Sequence, residues 1–210
     1  MKKEVFDFYD RTSLKSYNLD KTMQDQLNAL GSLDVFTRKH CENVAAITCR
    51  LCEYLHCSKG FTEYCTICAY LHDIGKIFIP QSILQKPGKL TDEEFGIMKT
   101  HTTEGAKLLN GFTSIPQIRE AVLYHHERYD GRGYPEGLKG EEIPLVARIL
   151  CVADSFDAMN SNRCYRDRLT KEQILEQLRS NRGTQFDPEI ADCMLELLDS
   201  GEITFHAEET

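Results

Sequence analysis

The chain has 210 residues, which suits one larger domain with a sizeable core and short extensions. Its formal net charge of −8 argues against a surface that binds polymeric nucleic acid, although it leaves room for a small anionic substrate. Because the opening residues MKKEVFDFYD lack the apolar run of a signal peptide, and no stretch is long and apolar enough to cross a bilayer, we expect a cytoplasmic protein without a membrane span.

The spacing of apolar residues is helical through nearly the whole chain and predicts an all-α protein. In chain order, helices are predicted over residues 20–30, 37–56, 61–74, 91–109, 115–127, 143–160, 170–180 and 187–199. Thr91 and Glu94 are spaced for a capping box, and Asp187 followed by Pro188 indicates the start of the last helix. No alternating run of strand length stands out.

The domain organisation predicted from the sequence is simple. Residues 30–202 contain no internal repeat and no Ser/Gly-rich linker, so they are expected to form one domain. Residues 1–29 are polar and mixed, and we interpret them as an N-terminal arm that is either helical, with a role as a homodimer contact, or a frayed tail. Residues 203–210 form a C-terminal tail.

Nine cysteines are many for a reducing compartment, and the odd number argues against a complete disulfide framework. Cys49 with Cys52 and Cys65 with Cys68 have the spacing of a four-cysteine metal clip. Both pairs, however, lie in continuous helical patterns without the turn glycines that wrap a thiolate cluster. We therefore favour a role as small core residues and keep the metal clip as the alternative.

The stretch HHERYDGRGYPEG, residues 125–137, places two adjacent histidines before a glycine-rich loop. Adjacent helical residues point about 100° apart, so both imidazoles reach one ion only near the edge that they share. A metal also requires ligands from elsewhere. The candidates in the chain are His40, His72, Asp73, His101 and Asp154.

Asp154 follows Val152 and Ala153 and precedes Phe156, a setting in which an ionised carboxylate is costly unless a positive group compensates it. A metal ion would do so. The His72–Asp73 doublet adds a neutral imidazole beside a carboxylate, which allows the carboxylate to bridge two ions. Two cations about 3.5–4 Å apart that share an aspartate activate water and clamp an in-line displacement at phosphorus.

Three motifs together resemble the HD-GYP family, a branch of the HD metal-dependent phosphohydrolases. They are HDIGK at 72–76, HHERYDGRGYP at 125–135 and ARILCVADSFDAMNSNRCYR at 147–166, and their order and gaps agree with the family. Gly133, Tyr134 and Pro135 stand where the family has its GYP signature. The similarity covers roughly residues 30–200.

The resemblance implies a bundle of about seven helices that holds two or three iron or manganese ions and hydrolyses cyclic di-GMP to its linear dinucleotide or to GMP. It further implies that the first ion is held by His40, His72, Asp73 and Asp154, and the second by Asp73, His101, His125 and His126. Lys76 would face the phosphate undergoing attack, with Asp73 and Lys76 as the catalytic pair. Arg163 and Arg166 would hold the phosphates of the substrate.

Phe36 is a departure from this pattern. Family members that hold a third ion have a glutamate four residues before the first histidine, and here that place is taken by Phe36. A phenyl ring cannot ligate a metal, so we predict two ions. We also expect a slower second cut, which would leave the linear dinucleotide as the main product.

The loop that follows the histidine pair has two interpretations. It can present Tyr134 to a guanine of the substrate or to a signalling protein, or its glycines can simply build tight turns that pack Tyr134 on the bundle. Two other functions also stay open. One is a weakly active receptor that binds a cyclic dinucleotide and acts through a partner, and the other is a phosphohydrolase for a different cyclic dinucleotide or nucleotide.

Overall fold

The computed structural model of the chain describes residues 21, 33, 35–111, 117–162 and 167–205. Within these residues the fold is entirely helical, with two isolated β-bridges and no strand, which confirms the predicted all-α class. The α-helices are α1 (Val35–Tyr54), α2 (Lys59–Leu71), α3 (Gln81–Leu84), α4 (Asp92–Leu108), α5 (Ile118–Tyr124), α6 (Leu145–Asn160), α7 (Lys171–Ser180) and α8 (Pro188–Ser200). Three 3₁₀ helices span Ile74–Phe78, Leu109–Gly111 and Gly140–Glu142.

The capping residues explain where several helices begin. Thr91 and Glu94 form the predicted capping box, in which the Glu94 amide donates to Thr91 Oγ1 at 3.2 Å and the Thr91 amide donates to Glu94 Oε2 at 2.8 Å. Asp187 caps α8 by accepting from the Glu189 amide at 2.9 Å. The sequence places these two starts to within a residue.

Two predicted helices are longer than those in the structure, and the difference matters for the site. The helix expected over residues 115–127 ends at Tyr124, and the one expected over 61–74 ends at Leu71. The histidine pair and the His72–Asp73 doublet therefore lie at helix C-termini and in the turns that follow. The helix predicted over residues 20–30, and most of the arm that contains it, lies outside the described residues.

The core forms where α1 packs against α2 and α6, with α8 closing one side. Leu51, Leu71, Phe156 and Met194 are buried there. Burial of a side chain of this size contributes about 1.5–3 kcal/mol. None of the described helices is both long and apolar enough to cross a bilayer.

Cys52, Cys65 and Cys68 belong to this core and are fully buried. Burial raises the pKa of the Cys68 thiol, so the sulfur stays protonated and packs as a small apolar group. In the part of the chain that the structure describes, no cysteine joins a cluster with metal-ligand spacing. The arrangement agrees with the core interpretation for Cys52, Cys65 and Cys68, whereas Cys49 is only partly buried and contacts Glu53.

The absence of a side chain at Gly75 allows the Ile74–Phe78 turn to approach α4 closely. A Cβ atom added to Gly75 would overlap the carbonyl oxygen of His101 and would lie 2.6 Å from the Gly105 nitrogen. Both neighbours are backbone atoms of a regular helix and cannot give way cheaply. The glycine of HDIGK is therefore required for the contact that carries Asp73 to the side of His101.

Candidate metal centre

The structure brings together all seven side chains that the sequence singled out as metal ligands. They form two groups, His40 with His72 and Asp73, and His101 with His125 and His126, and within each group the ligand atoms lie within 4.8 Å of one another. Asp154 on α6 joins both groups, because Oδ1 lies 2.9 Å from His40 Nε2 and Oδ2 lies 4.0 Å from His126 Nδ1. His40 and Asp154, which are more than 100 positions apart in sequence, thus lie in contact at this centre.

Three of the histidines are held in the same way. The Nδ1 atoms of His72, His101 and His125 each lie 2.7 Å from the main-chain carbonyl oxygen three residues earlier. A carbonyl oxygen can only accept, so each Nδ1 carries the proton and each Nε2 keeps a lone pair. The Nε2 of His72 is buried and has no hydrogen-bond partner among the described residues.

The contact between His101 and His125 shows that these residues fit a cation. Their Nε2 atoms face each other at 3.3 Å, and both rings are buried. Burial lowers the pKa of His101 and lowers that of His125 still further, so neither ring takes a second proton at neutral pH. Two lone pairs at this distance repel each other, and a metal ion that accepts both relieves the repulsion.

Asp73 faces both groups of histidines. Its Oδ2 lies 3.3 Å from His72 Nε2, whereas its Oδ1 lies 3.5 Å from His101 Nε2. Oδ1 is buried without a hydrogen-bond partner among the described residues. Burial raises the pKa of Asp73, but the charge of Lys76 and the contacts with His72 and His101 lower it more, and the net pKa lies well below its usual value. The carboxylate is therefore ionised and faces both groups.

Lys76 and Tyr134, two of the side chains expected to contact substrate, line one cleft beside this centre. Lys76 Nζ is 2.5 Å from Asp73 Oδ2 and lines an open cleft of about 510 Å³. Tyr134 lines the same cleft, and its ring lies 4.9 Å from the His126 ring at an angle of 30°. Tyr134 therefore both packs on the bundle and faces the cleft. Arg163 and Arg166 lie outside the described residues.

Asp157 is a site residue that the sequence reasoning missed. Its Oδ2 lies 2.6 Å from His40 Nδ1, and its Oδ1 accepts from the side-chain Nδ2 of Asn43 at 2.8 Å. Burial lowers the pKa of His40, but its hydrogen bonds with Asp154 and Asp157 outweigh this and raise the net pKa. Asp154 and Asp157 are three residues apart on one helix, and this spacing could have indicated that both carboxylates lie on the same face.

Glu127, directly after the histidine pair, was also missed. Its buried carboxylate accepts through Oε1 from the amides of Glu136 at 2.7 Å and Gly137 at 3.0 Å. At Gly133, a Cβ atom would lie 2.6 Å from the His126 carbonyl oxygen, so only glycine permits this approach. These two residues fold the loop back over the histidine pair and set the position of Tyr134.

Comparison with known proteins gives a consistent result. The sequence profile described as "HD domain" matches residues 15–190. A cyclic di-GMP phosphodiesterase of Thermotoga maritima is 40% identical over an alignment that covers 94% of this chain and 60% of the relative. A 3′3′-cGAMP-specific phosphodiesterase of Vibrio cholerae is 38% identical over 80% of this chain and 33% of its own length.

A solved structure supports the fold. An HDG"Y"P protein from Bdellovibrio bacteriovorus superposes with a TM-score of 0.65 over 82% of this chain and 56% of that chain, at 19% identity. At that identity the likeness concerns the fold alone. The chain thus spans 60% or less of the length of each of these three relatives.

Proposed function

Since this chain belongs to the HD domain family, as its motifs predicted, we propose that it is a metal-dependent phosphodiesterase that hydrolyses cyclic di-GMP. The observation that carries the proposal is the pair of facing Nε2 atoms of His101 and His125, beside the ionised Asp73. A buried set of imidazoles and carboxylates of this kind suits a two-ion hydrolytic centre. The names of the Thermotoga and Vibrio relatives support a cyclic dinucleotide as the substrate.

The proposed ligand sets follow the two groups of side chains. His40, His72, Asp73 and Asp154 would hold one ion, and Asp73, His101, His125 and His126 would hold the other. Asp73 would be shared, which its position between His72 and His101 supports. Imidazole and carboxylate donors suit iron and manganese, the two metals that we propose.

The chemistry divides between the ions and the chain. Two bound cations supply activation of water for in-line attack and neutralise charge that builds on the phosphoryl oxygens. Water gives up a proton as its oxygen bonds to phosphorus, the bond to the 3′ oxygen breaks, and that oxygen takes up a proton. Lys76, which contacts Asp73 and lines the cleft, would stabilise the developing negative charge. Arg163 and Arg166 would bind the substrate's phosphates.

Tyr134, which also lines the cleft, is proposed to contact the substrate. Burial raises the pKa of its hydroxyl, and the charges of Asp154 and Asp73 raise it further. The phenol therefore stays protonated and can donate a hydrogen bond to a phosphate or a base at neutral pH. Its ring is held against His126, so the donor has a defined direction.

Phe36 supports the expectation of two ions. It lies in the first turn of α1, one turn before His40, is 84% exposed and offers no ligand atom. With two ions, the cyclic substrate would be opened efficiently and the linear product cut slowly. We therefore expect the linear dinucleotide pGpG as the main product.

The test is hydrolysis by metal-loaded protein, with products separated by chromatography over time. We expect cyclic di-GMP to disappear as pGpG accumulates, and EDTA to stop the reaction. Rapid accumulation of GMP would contradict the proposed product. The Vibrio relative makes 3′3′-cGAMP the second candidate substrate, and a parallel assay compares the two values of kcat/KM. Tight binding of both without turnover would instead indicate a receptor that acts through a partner.

Asp157 gives a prediction about metal affinity. Asp157→Asn keeps the shape of the side chain but removes the charge that polarises His40, so the affinity for metal is expected to fall about tenfold. Competition with a chromophoric chelator measures the change directly. Asp199→Asn, an exposed position at the end of α8, serves as the control and should leave the affinity unchanged. Equal affinities for the wild-type protein and Asp157→Asn would show that Asp157 has no such role.

A further inference from the structure

The cleft that contains the ligand cluster extends well beyond it. The cleft has a volume of about 510 Å³. One end is bounded by the histidines and aspartates, and the other end reaches the turn before α4 and the first turns of that helix. We call this second end the distal wall, defined by Lys89, Leu90 and Phe95 together with Lys99 beside Phe95. None of these residues was singled out from the sequence.

Phe95 gives the distal wall an aromatic surface. Its side chain is 44% exposed, although it lies on a helix with a buried face. Its ring lies edge to face with Tyr134, with the centroids 6.4 Å apart and an angle of 84° between the planes. The ammonium of Lys99 lies 4.7 Å from the Phe95 centroid and 5.5 Å from that of Tyr134. Two rings that meet at a corner beside a cation form a surface suited to a flat heterocycle.

Lys89 adds a cation to this surface. Lys86, three residues earlier, is neutralised by Glu94, with Nζ 2.5 Å from Oε2. Lys89 is exposed, and among the described residues its ammonium has no carboxylate partner. Asp92 is the carboxylate on this part of the cleft. In a chain with a net charge of −8, an unpaired ammonium at the cleft favours an anionic group there.

The shape of a cyclic dinucleotide leaves half of the molecule outside the ligand cluster. The molecule has two bases and two phosphates on one ring, and only one phosphate can lie at the ligand cluster while it is attacked. The other half must occupy the rest of the cleft or project into solvent. The distal wall offers the two kinds of group that this half needs, an aromatic surface for a base and a cation for a phosphate.

We propose that the distal wall binds the half of the cyclic dinucleotide that is not being cut, with its purine against Phe95 and its phosphate facing Lys89. This inference rests on the proposed function and adds the residues that select a dinucleotide over a simple phosphodiester. The ammonium of Lys99 lies over the rings of both Phe95 and Tyr134 and stabilises their arrangement through cation–π contacts. The distal wall contributes to the selection of the substrate, whereas the ligand cluster binds the reacting phosphate.

The experiment compares two substrates of the metal-loaded protein. One is cyclic di-GMP, and the other is methyl p-nitrophenyl phosphate, a diester with no base and no second phosphate. Phe95→Ala is expected to lower the ratio of kcat/KM for cyclic di-GMP to kcat/KM for the small diester about tenfold. Lys89→Ala should lower the same ratio about two- to fivefold, with a smaller effect at high salt.

Two further variants make the result specific. Phe95→Leu keeps the apolar bulk and removes the aromatic face, so it should lower the ratio in the same direction by a smaller factor even if Phe95→Ala folds poorly. Ile97→Ala is the matched control, because Ile97 lies on the same helix, is 43% exposed and does not line the cleft. Its ratio should match that of the wild-type protein.

The outcomes separate the two proposals. If the wild-type protein hydrolyses cyclic di-GMP and the Phe95 and Lys89 variants keep its substrate ratio, the distal wall is not a subsite, although the proposed function stands. If the wild-type protein hydrolyses the small diester and no cyclic dinucleotide, the proposed function itself is wrong. A selective fall in the ratio, absent in Ile97→Ala, supports both.

Discussion

Asp73→Asn is expected to lower the rate of cyclic dinucleotide hydrolysis by on the order of a thousandfold or more. The carboxylate lies 3.3 Å from His72 Nε2 on one side and 3.5 Å from His101 Nε2 on the other, so the substitution removes a negative ligand from both proposed ion positions at once. It also leaves the Lys76 ammonium without its carboxylate partner at 2.5 Å. Steady-state kinetics and elemental analysis of the purified protein measure the two effects together.

The helical content of Asp73→Asn should remain that of the wild-type protein, because Asp73 lies in a turn and caps no helix through its side chain. Circular dichroism checks this point. Asp199→Asn is again the control, with an expected rate within twofold of wild type. A wild-type rate in Asp73→Asn, with full metal content, would exclude a shared carboxylate and with it the two-ion centre.

Gly75→Ala is expected to destabilise the metal-free protein by about 3 kcal/mol or more. The new methyl group would overlap the His101 carbonyl oxygen and press on the Gly105 nitrogen, and both atoms belong to the backbone of α4. For a chain of this length, Tm should fall by roughly 6–12 °C. Thermal unfolding in the presence of a chelator measures the change without a contribution from bound metal.

The same substitution should also weaken metal binding, since the turn that carries Asp73 must move away from His101 to admit the methyl group. Gly96→Ala is the matched control on α4, where a Cβ atom would have no neighbour within 4 Å. At that exposed helical position alanine should stabilise the protein by about 0.5–1 kcal/mol. Equal Tm values for Gly75→Ala and wild type would show that the close approach is not required.

The seven candidate ligands were singled out from the sequence through two local features and a family resemblance, since a histidine taken alone is more often a structural residue. Asp154 among apolar residues and the His72–Asp73 doublet are unfavourable without a cation, and the spacing of the three motifs limited the choice to one family. The capped helix starts at Thr91 and Asp187 were likewise local signals. Such features depend on near neighbours in sequence.

Asp157, Glu127 and Phe95 could not be assigned in the same way. Each has an ordinary local explanation, and each acquires its role from a residue of another element or loop: His40 on α1, the Glu136 and Gly137 amides, and Tyr134. Hydrogen-bond partners and ring contacts at such sequence separations depend on how the helices pack. The helix ends near Leu71 and Tyr124 were also misjudged, since tertiary contacts override a continuing apolar pattern.

The sequence by itself determined the helical class and the family and singled out seven candidate ligand side chains, because periodicity, residue chemistry and motif spacing can be read from the chain alone. The tertiary structure decided which nitrogen of His72, His101 and His125 faces the centre, since the main-chain carbonyls hold the other one. It also decided that Asp73 faces both groups and that the cleft continues to Phe95. The reason is that directions and distances between side chains exist only after the helices have packed, here around a turn that Gly75 allows to touch α4.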